Sequence, residues 1–149
     1  MWGGGHDSLK KYYCIKQHDI KDCGPACLAT IAKQYGLKIP ISKLREIAKT
    51  DKQGTNLYGL IKAAEQLGFT AKGVKGNKES FFSPFPLPAI AHVVINNSLL
   101  HYVVIHKITK EQVIIADPAS CRRLEKNEPR RIFSDLDRGF SPSCSCSNI

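Results

Sequence analysis

The hydrophobic period of this chain changes at Gly68, and that change limits the fold more than any other feature. Upstream, Cys27, Leu28, Ile31, Ala32 and Tyr35 recur at helical spacing, as do Leu57, Leu60, Ile61, Ala64 and Leu67. Gly36 and Gly68 follow these runs as natural stops, and Asp22 and Pro25 read as start signals. The spacing predicts a helix from about Cys23 to Tyr35, a shorter one after Ser42, and a third starting near Thr55. Downstream, "FTAKGVK" alternates and "PFPLP" breaks the chain. Then "AIAHVVI", "LLHYVVIHKI" and "QVIIAD" follow as an expected antiparallel meander. The expected class is α+β, with N-terminal helices packed on an antiparallel sheet.

The length of 149 residues suits one ordinary domain, with a core that needs no disulfide staples. No apolar run approaches the roughly 18 residues of a membrane helix, and "MWGGGHDSLKK" lacks the apolar centre of a secretory signal. A soluble chain, not addressed for export, is therefore expected. Its six cysteines are scattered, so reduced thiols in a cytosolic protein are expected too. The net charge of +9 favours acidic partners. Basic residues are spread along the chain and dense only in "CRRLEKNEPRR", a pattern that fits a solvated surface better than a nucleic-acid groove.

In "QHDIKDCGPACLATI" a cysteine stands at the first turn of the expected helix. Free N–H groups and the helix dipole stabilise a thiolate there, so Cys23 is a candidate nucleophile. A small buried apolar residue fits the position equally well. Cys27, one turn on and in register with the apolar face, is expected only to pack. A nucleophilic thiol needs a base and an orienting group. Among five histidines, His6 and His106 are expected to be exposed, whereas His92 and His101 fall on neighbouring strands. With Ile108, Thr109 and Lys110 as a three-residue hairpin loop, Lys107 faces Glu111 and His101 faces Asp117. A slip of one residue would put His101 and Asp117 on opposite faces. A half-buried strand histidine and a strand-ending aspartate before Pro118 explain the pair as well. Gln17 offers a side-chain amide that could reach a developing oxyanion. A zinc site is disfavoured, because C-x3-C with no second close Cys/His pair does not supply four ligands.

Taken together, "QHDIKDCGPACLATI", "QGTNLYGLIKAAEQLGFTAKGVK", "LPAIAHV", "HYVVI" and "ADP" resemble the double-glycine peptidase domain of peptidase-containing ABC transporters, which process and export bacteriocins and lanthipeptides. The resemblance runs from about Lys11 to Pro118. It implies a papain-like fold, with Cys23 as nucleophile, His101 as base and then acid, Asp117 orienting the imidazole, and Gln17 lining the oxyanion hole. No cofactor and no metal are expected. The implied substrate is a precursor peptide whose amphipathic helical leader is removed after Gly-Gly or Gly-Ala. Further implied partners are the membrane and nucleotide-binding domains of a transporter, with no nucleic acid, in the cytoplasm or on the cytoplasmic face of the inner membrane. The alternatives are a non-catalytic leader-binding domain and another thiol-dependent acyl-transfer enzyme on the same fold. Residues 1–10 are expected to be disordered or cloning-derived, 11–135 to form the peptidase domain, and 136–149 to be an atypical, disordered tail, with at most a weak final strand after Cys121. That tail, "RIFSDLDRGFSPSCSCSNI" at its widest, lacks the Trp-Gly ending usual in such domains.

Overall fold

The structure, a computed structural model, describes residues 11–73, 87–95, 99–121, 125–127 and 141–148. The expected residues 1–10 and most of 122–140 lie outside them. A 3₁₀ turn at Ile20–Asp22 leads into α1 (Cys23–Gln34), followed by α2 (Ile41–Ile47) and α3 (Leu57–Gln66). The strands are β1 (Phe69–Lys72), β2 (Ala89–Ile95), β3 (Leu99–Ile108), β4 (Val113–Ala116), β5 (Glu125–Asn127) and β6 (Ser141–Asn148). Three helices and a sheet switch at Gly68, as the period change predicts. Gly68 has a φ of +93°, a left-handed conformation that a side chain would resist and that ends α3.

The strands form one sheet in the order β1-β6-β2-β3-β4-β5, with every adjacent pair antiparallel. β2, β3 and β4 make the expected meander. Residues 141–148, where at most a weak final strand is expected, form β6 and insert between β1 and β2. Backbone N–H and C=O groups are what a strand pairs, so a run of Ser and Cys with no apolar alternation can fill a gap between two strands.

α1 lies in the interior. Every residue from Cys23 to Ala32 is buried, and Leu28, Ile31 and Ala32 have no exposed surface. Its neighbours in this core include Leu44 from α2, Leu60 and Ala64 from α3, and Ile90, Tyr102 and Val104 from the sheet. A second cluster, Ala91, Val93, Val103, Ile105, Val113 and Ile115, forms on β2, β3 and β4. Gly24 permits the close packing of α1 on α3: a Cβ there would sit 3.2 Å from Thr55 Cβ and 3.3 Å from Leu60 Cδ2. Among the described residues, no helix is long and apolar enough to cross a membrane.

Candidate active site

The local sequence sets Cys23 at the first position of α1, with 7% of its surface exposed. Pro25 sits in the first turn, where its missing N–H leaves no helical bond unmade. Asp22 does not cap the helix as its position suggests. Its carboxylate accepts the Asp19 N–H at 3.1 Å, while the Asp19 side chain accepts the Lys21 N–H at 3.2 Å, so the two aspartates lock the 3₁₀ turn before Cys23. The fully buried Asp22 carboxylate then takes a fork of bonds from Arg45 of α2, at 2.9 Å from Nε and 2.6 and 2.5 Å from Nη2. Nothing in the local sequence marks Arg45 for this role. A basic residue in the last turn of a short helix reads as an ordinary surface charge.

His101 Nε2 and Asp117 Oδ1 are 2.7 Å apart, so the imidazole N–H donates to the carboxylate. The expected pair is there, but its register is not the expected one. β3 and β4 pair Ile108 with Val113, which leaves a four-residue loop at 109–112, closed by the Thr109 N–H donating to the Gln112 carbonyl at 2.8 Å. Relative to the three-residue loop this is an odd displacement, and alone it would turn Asp117 to the face opposite His101. An irregularity between Ile105 and Lys107 removes one residue of the offset, so that Val104 pairs with Ala116. Continued one step, Asp117 stands opposite Val103, on the same side as His101 and diagonal to it. A diagonal pair is within reach of long side chains, and the hydrogen bond spans the gap.

Electrostatically, burial is the largest influence on His101 and favours the neutral ring. Hydrogen bonding to Asp117 and to Cys23, with the charges of both, outweighs it and raises the pKa from 6.5 to about 9. Since Nε2 is committed to Asp117, Nδ1 is the nitrogen left for the thiol. Burial also works against ionised Asp117, yet the bonds from His101 and from the Ala119 N–H hold its pKa below the usual value. Cys27, fully buried, has its thiol pushed well up by burial and by the charges of Cys23 and Asp117, so it packs as an inert residue.

Gln17 approaches the Asp117 end of the site. Its N–H donates to the Pro118 carbonyl at 2.9 Å, and its buried Oε1 has no hydrogen-bond partner among the described residues. A half-turn of the amide exchanges its oxygen and NH2, so the group can present a donor at that same place. The other histidines divide. His18 is exposed. His92 stacks on Tyr102, with centroids 4.5 Å apart, and its pKa is lowered by burial and by the charge of His101. His106 is buried, contrary to expectation: its Nε2–H donates to the Tyr13 carbonyl at 2.8 Å and its ring lies against Tyr12. The strap at Tyr12 and Tyr13 covers it. The expectation of reduced thiols throughout is also corrected, because Cys14 and Cys121 are joined by a disulfide, whereas Cys23 and Cys27 are free. Partners 107 residues apart in sequence meet only through the fold. Among the described residues no cluster of His, Cys, Asp and Glu could hold a metal ion.

A cysteine at a helix N-terminus and a histidine hydrogen-bonded to an aspartate sit on a helix-on-sheet α+β frame that is papain-like, and the chain belongs to the peptidase C39 family, whose sequence profile matches residues 11–136. Its relatives include the lactococcin-G-processing and transport ATP-binding protein LagD of Lactococcus lactis, 45% identical over 85% of this chain and 17% of the relative. This chain therefore spans about a sixth of that protein's length. The peptidase domain of Streptococcus ComA, a bifunctional ABC transporter of a quorum-sensing pathway, superposes with a TM-score of 0.80 at 34% identity, covering 93% of this chain and 100% of that one. A double-glycine-motif protease from a transporter, solved with its leader peptide, shares the fold at a TM-score of 0.78 and 24% identity, over 93% of each chain.

Proposed function

We propose that this chain is a cysteine endopeptidase that removes the leader from bacteriocin-like precursor peptides by cutting after Gly-Gly or Gly-Ala. The observation that carries this reading is the alignment of Cys23, at the start of α1, with the His101–Asp117 pair. In the proposed reaction the Cys23 thiolate attacks the scissile carbonyl. The resulting oxyanion accepts bonds from the Gln17 amide and from free N–H groups of the first turn of α1. The His101 imidazolium gives its proton to the departing amine, leaving a thioester. Neutral His101 then takes a proton from water as it attacks the thioester, and returns it to sulfur. Asp117 keeps the ring oriented and its charged form stable, without itself taking the proton.

Two glycines before the cut suit a cleft too narrow for a Cβ, and glycine gives no side chain to grip. Recognition then rests on the leader, held as an amphipathic helix with apolar anchors, whose acidic face would suit the +9 surface. The LagD relative, as its name states, processes and transports lactococcin G. Attachment to membrane and nucleotide-binding domains, and a place on the cytoplasmic face of the membrane, belong to the same proposal. The test is incubation of the pure protein with a panel of leader-bearing peptides, read by mass spectrometry. Cleavage after Gly-Gly that is abolished by Gly→Val before the scissile bond is expected. Efficient cutting of a bare Gly-Gly peptide, or indifference to that substitution, would overturn the account.

A further inference from the structure

We propose that Cys14 and Cys121 form a redox-reversible link that holds the Asp117 turn in place and so sets the activity of the candidate site; this rests on the peptidase reading above. The two cysteines are bonded, with Cα atoms 5.6 Å apart. Both sulfurs lie against the main-chain carbonyl oxygen of Asp117, Cys14 at 3.5 Å and Cys121 at 3.4 Å. The same oxygen accepts the N–H of Ser120 at 3.2 Å and of Cys121 at 3.0 Å, so the turn after β4 is organised about one atom of the residue that orients His101. Three positions beyond Cys14, Gln17 bonds the next carbonyl, that of Pro118. The link thus joins the segment bearing Gln17 to the turn bearing Asp117.

The two sides of the link are not held equally. The Cys14 side is anchored independently: Tyr13 N–H donates to Gln34 Oε1 at 3.1 Å, Ile15 N–H to Thr30 Oγ1 at 2.9 Å, and His106 to the Tyr13 carbonyl at 2.8 Å. These bonds tie it to α1 and β3 whatever the state of the sulfurs. The Cys121 side is a short turn whose last residue has a φ of +45°, a left-handed conformation that a cysteine seldom adopts. Among the described residues, reduction leaves the turn its own N–H bonds to the Asp117 carbonyl and the Gln17 bond to the Pro118 carbonyl, while the strap keeps its bonds to α1 and β3, so the turn loosens more than the strap. Both cysteines are half-buried, so a small thiol can reach them, whereas Cys27 is fully enclosed.

The exchange balances with a low-molecular-weight thiol and its disulfide as co-reactants. One small thiolate attacks a sulfur of the link, forming a mixed disulfide and releasing one cysteine thiolate. A second small thiol displaces the first from the other cysteine. The products are two protein thiols and one small disulfide. The two electrons come from the small thiols, and the released thiolates take up their protons. Reoxidation runs the same steps backwards.

The test compares the native chain with the double variant Cys14→Ser/Cys121→Ser in glutathione buffers of graded ratio. Both proteins keep Cys23, so oxidation of the nucleophile affects them alike and cancels in the ratio of their activities. The bonded fraction is read by mass spectrometry after alkylation, and kcat and KM are read on a Gly-Gly leader peptide. The expected result is a kcat ratio near one under reducing poise, rising to about tenfold as the link closes, with KM little changed, since small misplacement of a catalytic group acts on turnover. A flat ratio, a rise in KM alone, or a pair that never closes would overturn the proposal. Should the double variant fail to fold, the native chain is followed alone through reduction with its circular dichroism unchanged, and each kcat is divided by the fraction of unmodified Cys23 read by mass spectrometry, so that oxidation of the nucleophile is again removed from the comparison. If no peptide is cut in any state, the peptidase reading fails by itself. The link is then judged by the rate at which iodoacetamide modifies Cys23 after rapid desalting, and equal rates in bonded and reduced protein would refute it.

Discussion

Replacing Asp117 by Asn isolates what its charge does for His101. Asparagine keeps an oxygen that can accept the Nε2–H now bonded at 2.7 Å, and removes only the negative charge. Burial, the largest influence on the imidazole, then faces Cys23 with less opposition, and the pKa should fall from about 9. A carboxylate at this distance typically moves a neighbouring group by about 1 to 3 units, so a decrease of about 1 to 2 units is expected. The basic limb of kcat/KM should move to lower pH by that amount, while the peptide continues to bind. His92 supplies an internal check. Burial and the charge of His101 depress its pKa, so weaker protonation of His101 should let His92 rise toward its ordinary value. The assay is kcat/KM on a fluorogenic leader peptide from about pH 5 to about pH 10, with the two imidazole Cε1–H signals followed by NMR. A basic limb that stays near pH 9 in Asp117→Asn, with His92 unmoved, would show that the 2.7 Å bond does not govern the base.

Three further outcomes are expected. Cys23→Ala should abolish cleavage, whereas Cys27→Ala should keep substantial activity at a stability cost of about 1 to 2 kcal/mol, seen in urea unfolding; equal loss in two folded variants would refute the assignment. The raised pKa of His101 stabilises the fold fully below about 6.5 and is lost as pH climbs through 9, and the lowered pKa of Asp117 stabilises it above 3.8 and is lost on acidification. Tm should therefore decline on the alkaline side between about pH 6.5 and pH 9, with a shallower decline in Asp117→Asn. Arg45→Met leaves the buried Asp22 carboxylate without its cation and should lower Tm clearly more than Lys43→Met on the exposed face of the same helix, by calorimetry.

Much of the candidate site was legible because its signals are local. Cys23 is marked by the residues on either side of it, and the helical and strand periods that flank Gly68 reflect side-chain burial, which repeats along the chain. His101 and Asp117 were legible as a pair because side-chain direction in a strand depends only on parity. The predicted loop was three residues and the observed one is four, an odd error that a single irregularity near His106 returns to an even one. The right partners thus emerged from a register that was wrong by two.

What the tertiary structure alone decided are contacts between segments that no period connects. The carboxylate of Asp22 finds Arg45 because α2 packs beside the start of α1, and His106 is buried because the strap before α1 brings Tyr12 and the Tyr13 carbonyl against its ring. β6 joins the sheet through main-chain hydrogen bonds, which any residue but proline can donate, so its Ser-Cys sequence announced nothing. Cys14 and Cys121 meet across 107 residues because the strap before α1 runs past the turn after β4. By itself the sequence determined the periods, the helix start that bears Cys23 and the face shared by His101 and Asp117, since each is set by near neighbours and by alternation. Distances between remote segments follow from how helices and sheet pack as solids, and only the folded chain contains them.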